Sequence, residues 1–179
     1  YAEAVLRSGR DIIVLSGGAL ADEEFRERLI EAAREAGKKI RIPSGAIVGL
    51  DNLKIGQVSP PEKLLLRTTK PPASLGMTAT TRTEIFKGLA HDCIKQYPKN
   101  INVAVALGLA AGRDADVELW VDPAAERNIH EIFVEGDFGD IYIRVRNVPS
   151  PDNPATSYMA ALSILTLLKN LENPLVVGT

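Results

Sequence analysis

Apolar positions along this chain change period several times, and each change marks an element. Residues 1–8 carry a helical pattern that stops at Gly9, a helix-ending glycine. "DIIVLS" (11–16) is a short continuous apolar run, which predicts a buried parallel strand. After the turn at Gly17 and Gly18, Phe25, Leu29, Ala32, Ala33 and Ala36 recur at helical spacing. Asp22 is a good N-cap for that helix, Glu23 and Glu24 suit its positive end, and Gly37 closes it. "KIRI" (39–42) is the next strand, so strand, helix and strand form half of a doubly wound α/β unit.

The pattern then changes. Residues 47–57 predict a short helix and "KLLLRTTK" (63–70) a strand. "PPASLGMTATTRTE" (71–84) has no periodicity and is read as a loop. Residues 88–96 and 100–111 read as two helices separated at Pro98. Three strands with period-2 alternation follow. Val117, Leu119 and Val121 share one face of the first; His130, Ile132 and Val134 share one face of the second. In the third, Ile141, Ile143 and Val145 oppose Tyr142, Arg144 and Arg146. "GDFGD" is the hairpin turn between the last two. Such one-sided strands predict an open mixed sheet covered by helices on one face. A final helix is expected from Asn153 as N-cap with Pro154 in its first turn. It is apolar nearly all round, which places it against the sheet or in a subunit contact.

Composition adds exclusions. Twenty-one basic against 23 acidic residues give a net charge of -2 with no basic block, which disfavours nucleic acid as a partner. No apolar run spans a bilayer and no secretory signal is visible, so no membrane partner is expected. A single cysteine, Cys93, excludes an internal disulfide framework, fits a reducing, cytoplasmic compartment, and argues against a cysteine zinc site. No metal site is expected. The chain opens "YAEAVLRSGRDIIVLSGG" without an initiator Met and reads as the end of a helix feeding a strand. That opening leads us to expect an N-terminal segment before it. The boundary between two parts is drawn near residue 45: 1–45 as the C-terminal part of a dinucleotide-binding domain, and 46–179 as a substrate-binding and dimerisation domain. The last helix is free to return toward the first part.

Several residues are candidates for chemistry. "SGGA" places Ser16, Gly17 and Gly18 at the carboxyl end of the first strand, where open α/β sheets bind ligands; a tight turn needs glycine in any case. "PSGA" (43–46) lies at the corresponding end of the next strand, and together the two turns frame a groove for a flat ligand. Asn102 is read as a polar amide inside an apolar helix, in need of a partner. Lys99 faces a ligand or is surface charge. His130 is a core histidine satisfied by its neighbours, or a proton-handling group aimed into a cleft. His91, beside Asp92, is read as exposed. Thr156 and Ser157 fall in the first turn of the last helix, where they either cap it or meet a carboxylate.

"PSGAIVGLD", "TTKPP", "FKGLAHDCIKQYPKNINVAVALGLA", "DPAAERNIHEIFVEGDFG" and "NPATSYMAALS" occur in this order, and together they closely resemble the L-aspartate dehydrogenase family. The resemblance implies a Rossmann domain followed by an α/β domain on a mixed open sheet, commonly in a homodimer. It implies oxidation of L-aspartate with NAD or NADP, through iminosuccinate, to oxaloacetate and ammonia, feeding NAD biosynthesis. It implies His130 as the catalytic residue and Ala46 and Asn102 as nicotinamide contacts. Lys70, Thr156 and Ser157 are implied as substrate contacts. Three departures stand out. No G-x-G-x-x-G turn is present, because that turn belongs to a strand before Tyr1. The residue that separates NAD from NADP goes with it. Thr69 stands where the family usually has Arg, so Arg67 or Lys70 would have to supply that charge. Two rivals remain. One is a related oxidoreductase, homoserine-dehydrogenase-like or dihydrodipicolinate-reductase-like. The other is a truncated, non-catalytic dimerisation fragment, which would bind cofactor weakly or not at all.

Overall fold

The computed structural model describes residues 1–98, 102–153 and 156–178. Helix α1 (Ala2–Arg7) ends at Ser8, and Gly9 follows in the left-handed region at φ 81°. Strands β1 (Ile12–Ile13) and β2 (Ile40–Arg41) pair in parallel, with Ile12 opposite Ile40. Both are shorter than the apolar runs suggest, and Ile13 is exposed rather than buried. Ile12 and Val14 are half-buried while Ile13 and Leu15 are exposed, so the apolar run alternates instead of being enclosed. Between the strands, a 3-10 turn (Gly17–Ala21) leads into helix α2 (Glu23–Ala36). Asp22 Oδ1 accepts from Phe25 N at 2.9 Å, and Gly37 closes the helix at φ 62°. Leu29, Ala32 and Ala33 are its buried face, as the periodicity predicts.

Helix α3 (Leu50–Leu53) continues into a second 3-10 turn (Lys54–Gln57). Gly49 sets its start at φ 84°, a backbone that favours glycine, and a Cβ there would lie 2.7 Å from Ile143 Cδ1, so that side chain would have to shift. Beyond it stands the main sheet: β3 (Lys63–Lys70), β4 (Thr83–Leu89), β5 (Asp116–Val121), β6 (Ile129–Gly136) and β7 (Gly139–Arg146). Its order is β4-β5-β3-β6-β7, with only β3 and β5 parallel. The mixed α/β architecture is therefore the expected one. Strand β4 is not: it runs from the end of the expected loop into the start of an expected helix, and helix α4 begins only at Ala90 (Ala90–Gln96). It is an edge strand with a register shift between Glu84 and Phe86, so its burial never alternates cleanly and leaves no period-2 signature.

The inner face of the sheet carries Leu64, Leu66, Val117, Ile132 and Val134, which pack with Ala104, Leu107 and Ala111 of helix α5 (Asn102–Ala111). Each buried Leu or Ile contributes roughly 1.5–3 kcal/mol relative to exposure. Tyr142, Arg144 and Arg146 point to the other, exposed face. Asp137 and Phe138 make the β6–β7 turn, as expected. Helix α6 (Tyr158–Asn170) starts later than the sequence suggests, with Ser157 as its N-cap. Pro149 and Ser157 form an antiparallel bridge and Tyr158 N donates to Val148 O at 2.9 Å, which holds Ser157 itself in extended backbone. Asn153 therefore does not cap it, Thr156 lies before its first turn, and Pro154 falls outside the described residues. None of its residues is buried: Leu162, Leu165 and Leu168 are 41%, 62% and 49% exposed in the single chain. Of the two places expected for α6, burial against the sheet is not the one seen in the single chain.

Candidate active site

Strands β3 and β6 place Thr68 directly opposite His130. Alternation along β3 turns Thr68 and Lys70 to the same inner face as Leu64 and Leu66. Thr68, Lys70 and His130 are all buried, at 3%, 9% and 5% exposure. Thr68 Oγ1 and His130 Nδ1 are hydrogen-bonded at 3.0 Å. Burial, helped by the nearby Lys70 charge, pushes the His130 imidazole down to about 3, so it is neutral at physiological pH. Burial likewise lowers the Lys70 ammonium below its ordinary value. A neutral imidazole and a partly desolvated cation thus lie side by side on the floor of a cavity of about 330 Å³.

The walls of this cavity bring together most of the candidates. Gly17, Ala46, Lys70, Asn102, His130, Thr156 and Ser157 all line it. Ser16 and Gly18 do not: Ser16 is exposed at the start of the 3-10 turn, and Gly18 acts behind the wall. Gly18 N donates to Asn102 Oδ1 at 2.8 Å, which ties the glycine turn to α5. Asn102 is the first residue of α5 rather than an interior one, and Gly18 is the partner its amide was expected to need. Lys99 falls outside the described residues.

Strand alternation also settles which cation faces the cavity. Arg67 points to the outer face, where its Nε donates to Glu118 Oε2 at 2.6 Å and its guanidinium lies 5.2 Å from the Phe133 ring centroid. Thr69 falls on that same outer face, so its difference from the family's Arg does not change the cavity floor. The inward charge on this strand is Lys70.

Sequence reasoning missed three residues here. Thr68 and Asn128 each stand two positions from a chosen residue, Lys70 and His130, and the period of two was the signal that would have found them. Asn147, 2% exposed, follows Val145 at the same spacing. Its Nδ2 donates to Ala46 O at 3.1 Å and its Oδ1 accepts from Ser157 Oγ at 2.5 Å. One buried amide therefore links the 43–46 turn to the start of α6. Ser163 Oγ of α6 accepts from Gly45 N at 3.1 Å, a second link between the same two elements.

The other histidine is elsewhere. His91 is exposed, as expected, and its Nδ1 lies 2.6 Å from Asp114 Oδ2. It lines a separate cavity of about 510 Å³ whose charged groups pair locally, as in Arg26 with Glu23 at 3.3 Å. The smaller cavity is the one with buried, perturbed groups that can move a proton. Among the described residues no group of three His, Cys, Asp or Glu could hold a metal ion, and no helix is long and apolar enough to cross a membrane. Cys93 is buried, and burial pushes its thiol up to about 11, away from nucleophilic use.

Glycine at 17 and 45 and alanine at 46 put little side-chain bulk on the cavity lining. A Cβ on Gly17 would come within 3.4 Å of Asn102 O, narrowing that space.

Comparisons with known proteins match two parts of the chain. A family model described as "Aspartate dehydrogenase, C-terminal" matches residues 51–171, and one described as "Homoserine dehydrogenase, NAD binding domain" matches residues 1–43. The chain is 62% identical over 179 residues to the L-aspartate dehydrogenase of Methanospirillum hungatei, covering 100% of this chain and 71% of that one. It is 45% identical over 177 residues to the L-aspartate dehydrogenase of Archaeoglobus fulgidus, covering 99% and 72%. The crystal structure of aspartate dehydrogenase from Thermotoga maritima superposes with a TM-score of 0.88 at 33% identity, covering 99% of this chain and 72% of that one.

Proposed function

The chain belongs to the aspartate dehydrogenase family, and from that premise we propose that the cavity over His130 and Lys70 is where L-aspartate is oxidised. The activity is that of an NAD(P)-dependent oxidoreductase converting L-aspartate, through iminosuccinate, to oxaloacetate and ammonia. The observation that carries the assignment of the site is the buried His130–Lys70 pair on the floor of a cavity walled by Ala46 and Asn102.

Lys70 holds one substrate carboxylate by charge, and the other lies against Ser157, whose hydroxyl turns from Asn147 Oδ1 to donate to it, with Thr156 beside them. Gly17, Ala46 and Asn102 wall the place of the nicotinamide ring, with Asn102 held by Gly18. When bound, NAD or NADP supplies the hydride acceptor for the substrate's α-carbon. His130 carries its proton on Nδ1, which donates to Thr68 Oγ1, and so presents the Nε2 lone pair to the substrate. It takes a proton from the α-ammonium and releases it to solvent, then takes one from the water that attacks the imine and returns it to the departing nitrogen as ammonia leaves. Its low basicity comes first from burial and then from the Lys70 charge. A substrate carboxylate on Lys70 offsets that charge and raises the imidazole from this value.

Residues 1–45 then form part of the dinucleotide-binding domain, and residues 46–179 the substrate-binding and dimerisation domain. The exposed leucines of α6 support a homodimer, since they leave an apolar stripe without cover in one chain. The lone reduced cysteine supports a cytoplasmic location.

The test is reduced-nicotinamide absorbance on mixing the full-length protein with NAD or NADP and L-aspartate, L-homoserine or D-aspartate. Reduction with L-aspartate alone is the expected result. Reduction with L-homoserine instead would replace this reading by the homoserine-dehydrogenase-like one.

A further inference from the structure

The roles above place the substrate's carboxylates and its proton, but nothing yet receives its nitrogen. Asn128 stands two residues before His130, so strand alternation continued by one position sends both to the same side. It lines the same cavity as His130 and Lys70. Its backbone is fixed, since its carbonyl accepts from Asn147 N at 2.9 Å. Yet its side-chain Oδ1 is buried without any hydrogen-bond partner. Only one other buried side-chain atom among the described residues, Arg41 Nε, shares that condition. Buried acceptors are almost always satisfied, so an orphan bordering a ligand cavity points to a donor that arrives with the ligand.

We infer that Asn128 Oδ1 accepts a hydrogen bond from the α-amino group of L-aspartate, which makes Asn128 a specificity-determining residue. The inference rests on the reading of this cavity as the L-aspartate site. The chemistry favours an amide here. Hydride leaves the α-carbon only when the nitrogen lone pair is free to form the C=N bond, so the ammonium must first lose a proton to His130. A carboxylate at 128 would stabilise the charged ammonium and oppose that transfer. An amide oxygen accepts an N–H from the ammonium, the amine and the iminium in turn, without adding charge beside Lys70.

Succinate carries the same two carboxylates as L-aspartate and no amine, so the pair isolates the nitrogen contact. Binding of each is measured by calorimetry to the full-length protein saturated with reduced cofactor, where no turnover occurs. The wild-type protein is expected to prefer L-aspartate. N128L is expected to lose about tenfold in L-aspartate affinity, close to the 1.4 kcal/mol of one hydrogen bond, with succinate unchanged. N128D keeps an oxygen acceptor in the same shape and is expected to retain the preference for L-aspartate over succinate. Equal loss of both ligands in N128L would overturn the inference, because it would mean a carboxylate contact or a structural role. Loss of the preference in N128D would overturn it as well. A wild-type protein that binds neither ligand would instead overturn the parent reading, and the inference with it.

Discussion

Thr68 and His130 face each other across β3 and β6, and the Thr68 hydroxyl meets His130 Nδ1 at 3.0 Å. A histidine used as a base at Nε2 needs its proton held on Nδ1, so Thr68 is a positioning residue. Thr68→Val keeps the shape and removes the hydroxyl. It is expected to lower kcat about tenfold with little change in the L-aspartate KM, a modest share of what a positioned base contributes. Thr68→Ser should restore the rate. Steady-state kinetics on the three proteins checks this; a Val variant as fast as wild type contradicts it.

Lys70 is expected to act in two ways that one substitution separates. Lys70→Met removes a charge-assisted contact to a carboxylate, which should weaken L-aspartate binding roughly tenfold to a hundredfold. The same change removes a positive neighbour of His130, so the imidazole should titrate higher than its value of about 3. The chain has two histidines, and NMR of their ring carbons against pH follows both. A His130 titration that stays in place would show that burial alone depresses it.

Stability should carry the mark of His130. Its native value, about 3, lies below the unfolded value near 6.5, so between these the unfolded chain binds a proton that the native one refuses. The contribution of the neutral histidine is complete above about pH 6.5 and is lost as the pH falls toward 3. The expected slope from this group is roughly 1.4 kcal/mol per pH unit. Urea unfolding at pH 7, 6 and 5 measures it, and His130→Gln should be flatter over the same range by that amount.

Asn147 joins Ala46 O to Ser157 Oγ, one contact on each side of the cavity. Asn147→Leu should therefore raise the KM for the dinucleotide and for L-aspartate together, and cost about 1–3 kcal/mol of stability from polar groups left buried. Ser157→Ala removes one of the two bonds and should affect L-aspartate more than the dinucleotide. Initial rates over a grid of both concentrations distinguish the two patterns. A change confined to one reactant in Asn147→Leu would show that the amide does not link the subsites.

Much of this arrangement was legible in the residues. The caps of α2 at Asp22 and Gly37, the inward set His130, Ile132 and Val134, and the hairpin at Asp137 and Phe138 follow from local chemistry and period. The 43–46 turn, Asn102 and His130 stand out from the residues themselves, Lys70 comes from the resemblance, and the fold brings Ala46, Lys70, Asn102 and His130 to one cavity. Strand β4 was hidden because an edge strand with a shifted register has no clean alternation. The start of α6 was misplaced because a long-range bridge from Pro149 to Ser157 overrides the local Asn-Pro signal. Thr68, Asn128 and Asn147 obey the period of two but are ordinary polar residues. Pairing across strands and turns marks out Thr68 and Asn147, and an unpartnered buried Oδ1 marks out Asn128.

His130 is the test of the whole account. His130→Asn removes the base and keeps a small polar side chain. We expect kcat for L-aspartate oxidation to fall at least about a hundredfold, while the L-aspartate dissociation constant in the presence of reduced cofactor stays within about threefold of wild type. Turnover that survives the substitution would contradict a proton-transfer role for His130 and remove the centre of the proposed site.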